Sequence, residues 1–269
     1  MKSTTPTRAL FATATIVLVV GVAFPVYWGV RTSLSSTNDG AFLPAHPTLA
    51  NYRYIFSNGD FANSIINSLI VAVGAVLLTV PIAILAGYAF ARLQFAGKRL
   101  GTLMLILPLL PAVAVLVPLI IYMRTLRIYN TLYAIIIGAT VFSLPFVIWM
   151  IRAFIIAIPM DIEESAYLDG CGRLAALRRI VLPLISPGIV TAVVFVFILA
   201  WNNYILAVAF TTSQQLQVVP VAILGYISAW GTNYPGMDAA ATLAMIPPLV
   251  FFLTVQRWFV QGLLSGSNR

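Results

Sequence analysis

Ile158-Pro159-Met160-Asp161-Ile162-Glu163-Glu164-Ser165-Ala166-Tyr167-Leu168-Asp169-Gly170 is a polar stretch set between two long apolar runs, and how it folds decides the architecture. Asp161 stands where a carboxylate accepts from the backbone N–H groups of a first helical turn. Glu164 follows at capping-box spacing and can reach back. Gly170 is placed to end the helix in a left-handed conformation. The pattern predicts a helix of about eight residues, roughly 12 Å long. A second helical stretch over 173–181 then runs into Leu182-Pro183. Ile162, Ala166, Tyr167 and Leu168 make an apolar side, with the small residues Ser165, Ala166, Gly170 and Gly172 along it. A helix lying on the membrane surface would suit that side. Its acids, however, are repelled by the anionic inner leaflet, so a groove on a cytoplasmic partner protein fits better.

Outward from this segment the chain is apolar. Of 269 residues, 61% are hydrophobic and 8% charged, against about 25% charged in a soluble domain. So few charges cannot cover a water-facing surface, which excludes a soluble enzyme. Six stretches reach the roughly 20 apolar residues of a membrane span: 9–30, 61–91, 101–123, 131–151, 186–209 and 237–256. Pro81 in the second favours a kink or a tilt. The first run is too long for a signal peptide and is expected to stay as a helix. The net charge of +8 reflects loops rich in Lys and Arg rather than nucleic-acid binding. With the N-terminus inside, 11 of the 15 Lys and Arg residues fall in cytoplasmic segments, leaving Arg31, Arg53, Arg124 and Arg127 outside. Both termini are therefore expected in the cytoplasm. The outer segments are then 31–60, where Asn51-Tyr52 opens a short surface helix, 124–130 and 210–236.

What the chain lacks narrows its chemistry. One cysteine, Cys171, and one histidine, His46, exclude a disulfide and any cysteine- or histidine-cluster metal site, so no metal is expected. No Gly-x-x-x-x-Gly-Lys-[Ser/Thr] phosphate loop occurs, so energy from ATP has to arrive through a partner. No ionisable side chain lies near the middle of a span, where an ion-coupled carrier usually needs one. Neither an enzyme nor a carrier working alone is favoured; a membrane scaffold is the remaining outside class. The spans offer Asn67, Tyr88, Tyr122, Trp149, Trp201, Asn202, Asn203 and Tyr204, amides and aromatic rings suited to sugar hydroxyls and ring faces. These are the candidate residues of a solute path. Arg124 and Arg127 keep a glycerol-phosphate-type or other polyol substrate as the alternative.

Glu164-Ser165-Ala166, three residues, Gly170, nine residues, Ile180, one residue, then Leu182-Pro183 resembles the EAA signature of ABC importer permeases. Asn51-Tyr52, Gly87-Tyr88-Ala89-Phe90-Ala91-Arg92-Leu93, Trp201-Asn202-Asn203 and Gln256-Arg257-Trp258-Phe259 resemble the maltose-type (MalG-like) carbohydrate permeases. The only departure from the signature is Ser165, where alanine is usual. The resemblance implies an all-α integral membrane protein of the bacterial or archaeal cytoplasmic membrane. It would be one transmembrane domain over 1–269, with six transmembrane helices and a coupling segment, 158–185, between the fourth and fifth. It implies that Glu163, Glu164, Ser165, Ala166, Tyr167, Leu168, Asp169 and Gly170 belong to a coupling helix docked on an ATPase subunit. Ile180, Leu182 and Pro183 would set the angle of return to the membrane. The implied partners are a homologous permease, two ATPase subunits carrying the ATP and Mg, and an extracytoplasmic sugar-binding (lipo)protein. The implied cargo is a neutral disaccharide or oligosaccharide moving inward.

Overall fold

The computed structural model describes residues 5–37, 40–44, 46–95, 97, 101, 111–228 and 231–266, and they are mostly helical. In chain order the helices are α1 (Thr5–Ser33), α2 (Ala50–Asn58), α3 (Asp60–Arg92), α4 (Ala112–Thr125), α5 (Leu132–Ile156) and α6 (Met160–Leu168). Then follow α7 (Arg173–Leu184), α8 (Ser186–Trp201), α9 (Tyr204–Phe210), α10 (Val219–Leu224) and α11 (Tyr234–Gly266). Between α10 and α11 lies a two-stranded antiparallel ribbon, β1 (Ile227–Ser228) and β2 (Gly231–Thr232), with Ile227 opposite Thr232.

Four of the expected spans appear as unbroken helices: α1, α3, α5 and the α11 stretch Tyr234–Gln256. In a medium without water every backbone N–H and C=O has to be satisfied within the segment, and a helix does this. α1 is apolar all round and exposed from Phe11 to Val22, as a helix meeting only lipid would be. Arg31, expected in the outer segment, sits instead in its last turn, 3% exposed, where its Nη2 donates to the Leu43 carbonyl at 3.3 Å. α3 passes Pro81 as one continuous helix of 33 residues, about 50 Å long. Of the third expected span, 102–110 lie outside the described residues, and α4 is its described part.

The fifth expected span, 186–209, is not one helix. It breaks at Asn202 and Asn203 into α8 and α9. The Asn203 side chain caps α9, accepting from the Leu206 N–H at 3.0 Å. Asn202 turns back to the Ile198 carbonyl at 2.9 Å. Short amides that bond their own backbone compete with the helix ladder, which is why two of them in succession end one helix and begin another.

The described chain packs as two compact units. The first combines residues up to 62 with 222–246. There Asn51 on α2 donates to the Ser33 and Ser35 carbonyls, both at 2.9 Å, and the Tyr52 hydroxyl meets Ser33 Oγ at 2.7 Å. The expected surface helix is thus tied to the end of α1. The second unit combines the described residues of 63–221 and 247–266. Its core lies along α5 and α8, with Ile151, Ile155, Val196 and Phe197 at 4% exposure or less. A Cβ on Gly188 of α8 would fall 2.5 Å from the Phe154 ring of α5, so only glycine permits that approach.

Candidate functional site

The polar segment folds as expected in outline and differs at its start. α6 begins at Met160 with Pro159 as N-cap, and no side chain caps it. Asp161 is therefore two residues too deep: it lies inside the first helical turn and cannot take the N-cap geometry. Pro159, with φ already at −55° and no N–H to satisfy, fixes the start instead. Glu164 makes no reciprocal cap; its side chain is exposed. At the other end Gly170 has φ +84°, as expected. The Cys171 N–H donates to the Ala166 carbonyl at 2.9 Å and the Gly170 N–H to the Tyr167 carbonyl at 3.1 Å, the paired bonds of a Schellman cap.

Which face of α6 is free also differs from expectation. Ala166 is buried and Tyr167 half-buried, but Leu168 is 90% exposed and Ile162 lies open beside Glu164, Ser165 and Asp169. Leu174, at the start of α7, is 73% exposed. The free face is thus a mixed one, apolar at Ile162, Leu168 and Leu174 and acidic at Asp161, Glu164 and Asp169.

Glu163 faces the other way and is fully buried. Its Oε1 accepts from Arg92 Nε at 2.6 Å, and its Oε2 accepts from the Tyr88 hydroxyl at 2.9 Å and the Tyr167 hydroxyl at 3.3 Å. The same guanidinium donates through Nη2 to the Ile158 carbonyl at 2.8 Å. One arginine at the end of α3 therefore holds both the chain leading into α6 and the first turn of α6 itself. A carboxylate can be buried only when its lone pairs are met in this manner. Arg92 escaped the sequence reading as a site residue. The available signal was a cation closing an apolar run and a carboxylate in the first turn of the polar helix.

Past Gly172, α7 is π-helical over Leu177–Val181, with the Leu182 N–H donating to the Leu177 carbonyl. Pro183 cannot donate and its ring crowds the preceding turn, and a wider turn relieves that crowding. Ile180 and Leu182 are half-buried and Pro183 is exposed. The axis then turns by 77° between Leu184 and Ser186, so the bend expected at Leu182-Pro183 falls a residue or two later.

The candidate path residues have different local surroundings. Trp201 is buried, stacked on Phe197 with centroids 6.0 Å apart. Tyr88 belongs to the Glu163 cluster. Trp149 Nε1 donates to the Gly101 carbonyl at 3.4 Å, and its ring faces the Arg152 guanidinium at 4.8 Å. Tyr122 and Tyr204 are exposed, as is Asn202. Asn67 holds backbone: its Nδ2 donates to the carbonyls of Gln215 and Gln217 at 2.8 and 2.9 Å. Next to it Ser68 Oγ accepts from the Val219 N–H at 2.8 Å. From the far side Asn130, in left-handed backbone at φ +58°, accepts on Oδ1 from the Thr212 and Ser213 N–H groups at 2.9 and 3.2 Å. Its Nδ2 donates to Ser213 Oγ at 2.8 Å. The segment 212–219 is thus fastened at both ends. Further along, burial pushes the Tyr226 phenol above its ordinary pKa, and the Tyr54 phenol raises it further.

Apolar helices long enough to cross a membrane, with one short polar helix among them, are the parts of a membrane-embedded transport subunit. Residues 79–265 match the family described as binding-protein-dependent transport system inner membrane component, and the chain belongs to it. It is 36% identical to the trehalose transport system permease protein SugB of Mycobacterium tuberculosis (strain CDC 1551 / Oshkosh), over 97% of each chain. It is 32% identical to the diacetylchitobiose uptake system permease protein DasC of Streptomyces coelicolor (strain ATCC BAA-471 / A3(2) / M145), over 94% of each. Among solved structures, a bacterial ABC transporter that imports the acidic polysaccharide alginate superposes with TM-score 0.82 at 20% identity, covering 96% of this chain and 99% of that one.

Proposed function

We propose that this chain pairs with a homologous permease to carry a neutral disaccharide or oligosaccharide inward, driven by two ATPase subunits and supplied by an extracytoplasmic binding protein. In this reading the chain is a single transmembrane domain of six spans with both termini in the cytoplasm, and α6 is the coupling helix that sits in a cleft of one ATPase subunit. The observation that carries it is the free face of α6, where Leu168 stands 90% exposed two residues before the Gly170 cap. The curated relatives, permeases for trehalose and diacetylchitobiose, support the carbohydrate class.

The test is co-purification of the ATPase subunits with the permease pair. Leu168→Asp should release them while membrane abundance stays normal, because the side chain is 90% exposed in this subunit. ATPase retention equal to wild type would sink the placement of the coupling helix. Substrate class is tested separately, by titrating the purified binding protein with trehalose and with diacetylchitobiose.

A further inference from the structure

The Glu163 cluster lies buried, turned away from the free face of α6. We infer that Arg92 and Glu163 form a latch that makes α3 move with α6, so that α3 carries the displacement of the coupling helix to the outer segment 212–219. The inference rests on the docking role proposed for α6 and adds to it a route across the membrane.

The geometry supports a rod with a fastening at each end. At the inner end, Arg92 grips α6 at Glu163 and the chain before it at Ile158, and Tyr88, one turn earlier on the same helix, adds a third bond. At the outer end, Asn67 and Ser68 hold the backbone at Gln215, Gln217 and Val219. Asn67 and Arg92 are 25 residues apart on one unbroken helix, about 37 Å. Midway, Thr79 Oγ1 bonds Thr140 Oγ1 at 3.2 Å, tying the rod to α5. A packed helix transmits a push along its axis with little compression. The Arg92 and Glu163 side chains are 9% and 0% exposed, so water does not loosen the grip.

Glu163 and Arg92 are on this account positioning residues. The experiment uses the whole importer in nanodiscs. Replacing both partners, Arg92→Met with Glu163→Leu, leaves no uncompensated charge behind, so the fold should survive where either single change would not. Tyr88→Phe removes one bond only and serves as the mild variant. Two spin labels, on the native Cys171 just past α6 and on Leu85→Cys in α3, measure the separation of the two helices.

In the wild type that separation should be the same in nucleotide-free and ATP–vanadate-trapped complexes. In the double variant it should shift on trapping. Stimulation of ATP hydrolysis by the binding protein should fall by about tenfold, the scale of a typical allosteric coupling. Tyr88→Phe should lie between. ATPase co-purification should remain at the wild-type level throughout. Unchanged separation or unchanged stimulation in the double variant would overturn the latch. So would loss of the ATPases from it, which would put the pair on the docking surface instead. Failure of the docking role itself shows in a different variant, as ATPase retention by Leu168→Asp.

Discussion

The two fastenings on α3 are built from different chemistry. The inner one is a single ion pair shielded from water, on which α6, its preceding carbonyl and two phenols all depend. The outer one is neutral and distributed: Asn67 and Ser68 on α3, joined by Asn130 from outside it, hold five backbone groups and two hydroxyls of 212–219. Desolvated charges interact strongly over a few ångströms but leave a large penalty if one is removed. Neutral amide bonds are each modest, so losing one leaves the rest in place. A helix that has to follow a partner's movement needs the first kind of contact. A loop that has to keep its shape can use the second.

The contrast is broken most directly at Glu163. Glu163→Leu alone strands the Arg92 guanidinium at 9% exposure and should destabilise the chain by roughly 3–5 kcal/mol. Thermal unfolding in detergent measures this, and adding Arg92→Met should recover most of the loss. A single variant as stable as wild type would mean that water reaches the pair after all.

Next in size is Asn130→Ala. It removes bonds to Thr212 and Ser213 and leaves a non-glycine residue in left-handed backbone, for a local loss of about 1–3 kcal/mol. Limited proteolysis should cut within 211–217 several times faster, with overall unfolding nearly unchanged. Equal cleavage rates would show that Asn67 and Ser68 suffice.

Gly170→Val comes third. Nothing lies within 4 Å of the added Cβ, so the strain is that of φ +84° alone, about 1–2 kcal/mol. The Schellman cap should fray, and ATPase co-purification should fall further than stability does. The smallest effect belongs to Glu164→Ala. Its carboxylate is exposed and caps nothing, so stability should stay within about 0.5 kcal/mol of wild type. A larger loss in thermal unfolding would restore the reciprocal cap that the sequence pattern suggested.

The last two variants show how much was legible in the order of residues. Gly170 was, because the need for a left-handed residue past a helix end is local and few side chains meet it. The start of α6 was not. Asp161 and Glu164 have capping-box spacing, but Pro159 already fixes the backbone two residues earlier, and the pattern of side chains cannot rank the two signals. The same holds for Trp201-Asn202-Asn203: composition marks a span, yet the amides use their own backbone and split it.

By itself the sequence determined that the protein lives in a bilayer, where four of its long apolar helices run, and that a short polar helix, expected at about eight residues and found at nine, interrupts them. It could do so because helix length, capping and hydropathy depend on residues close together in the chain. Only the tertiary structure decided that, of two adjacent glutamates, Glu163 turns inward to Arg92 and Glu164 outward, and that Asn67 holds a loop some 148 residues away. Those choices rest on which helices meet, and burying a charge is tolerable only where a partner 71 residues distant completes its bonds.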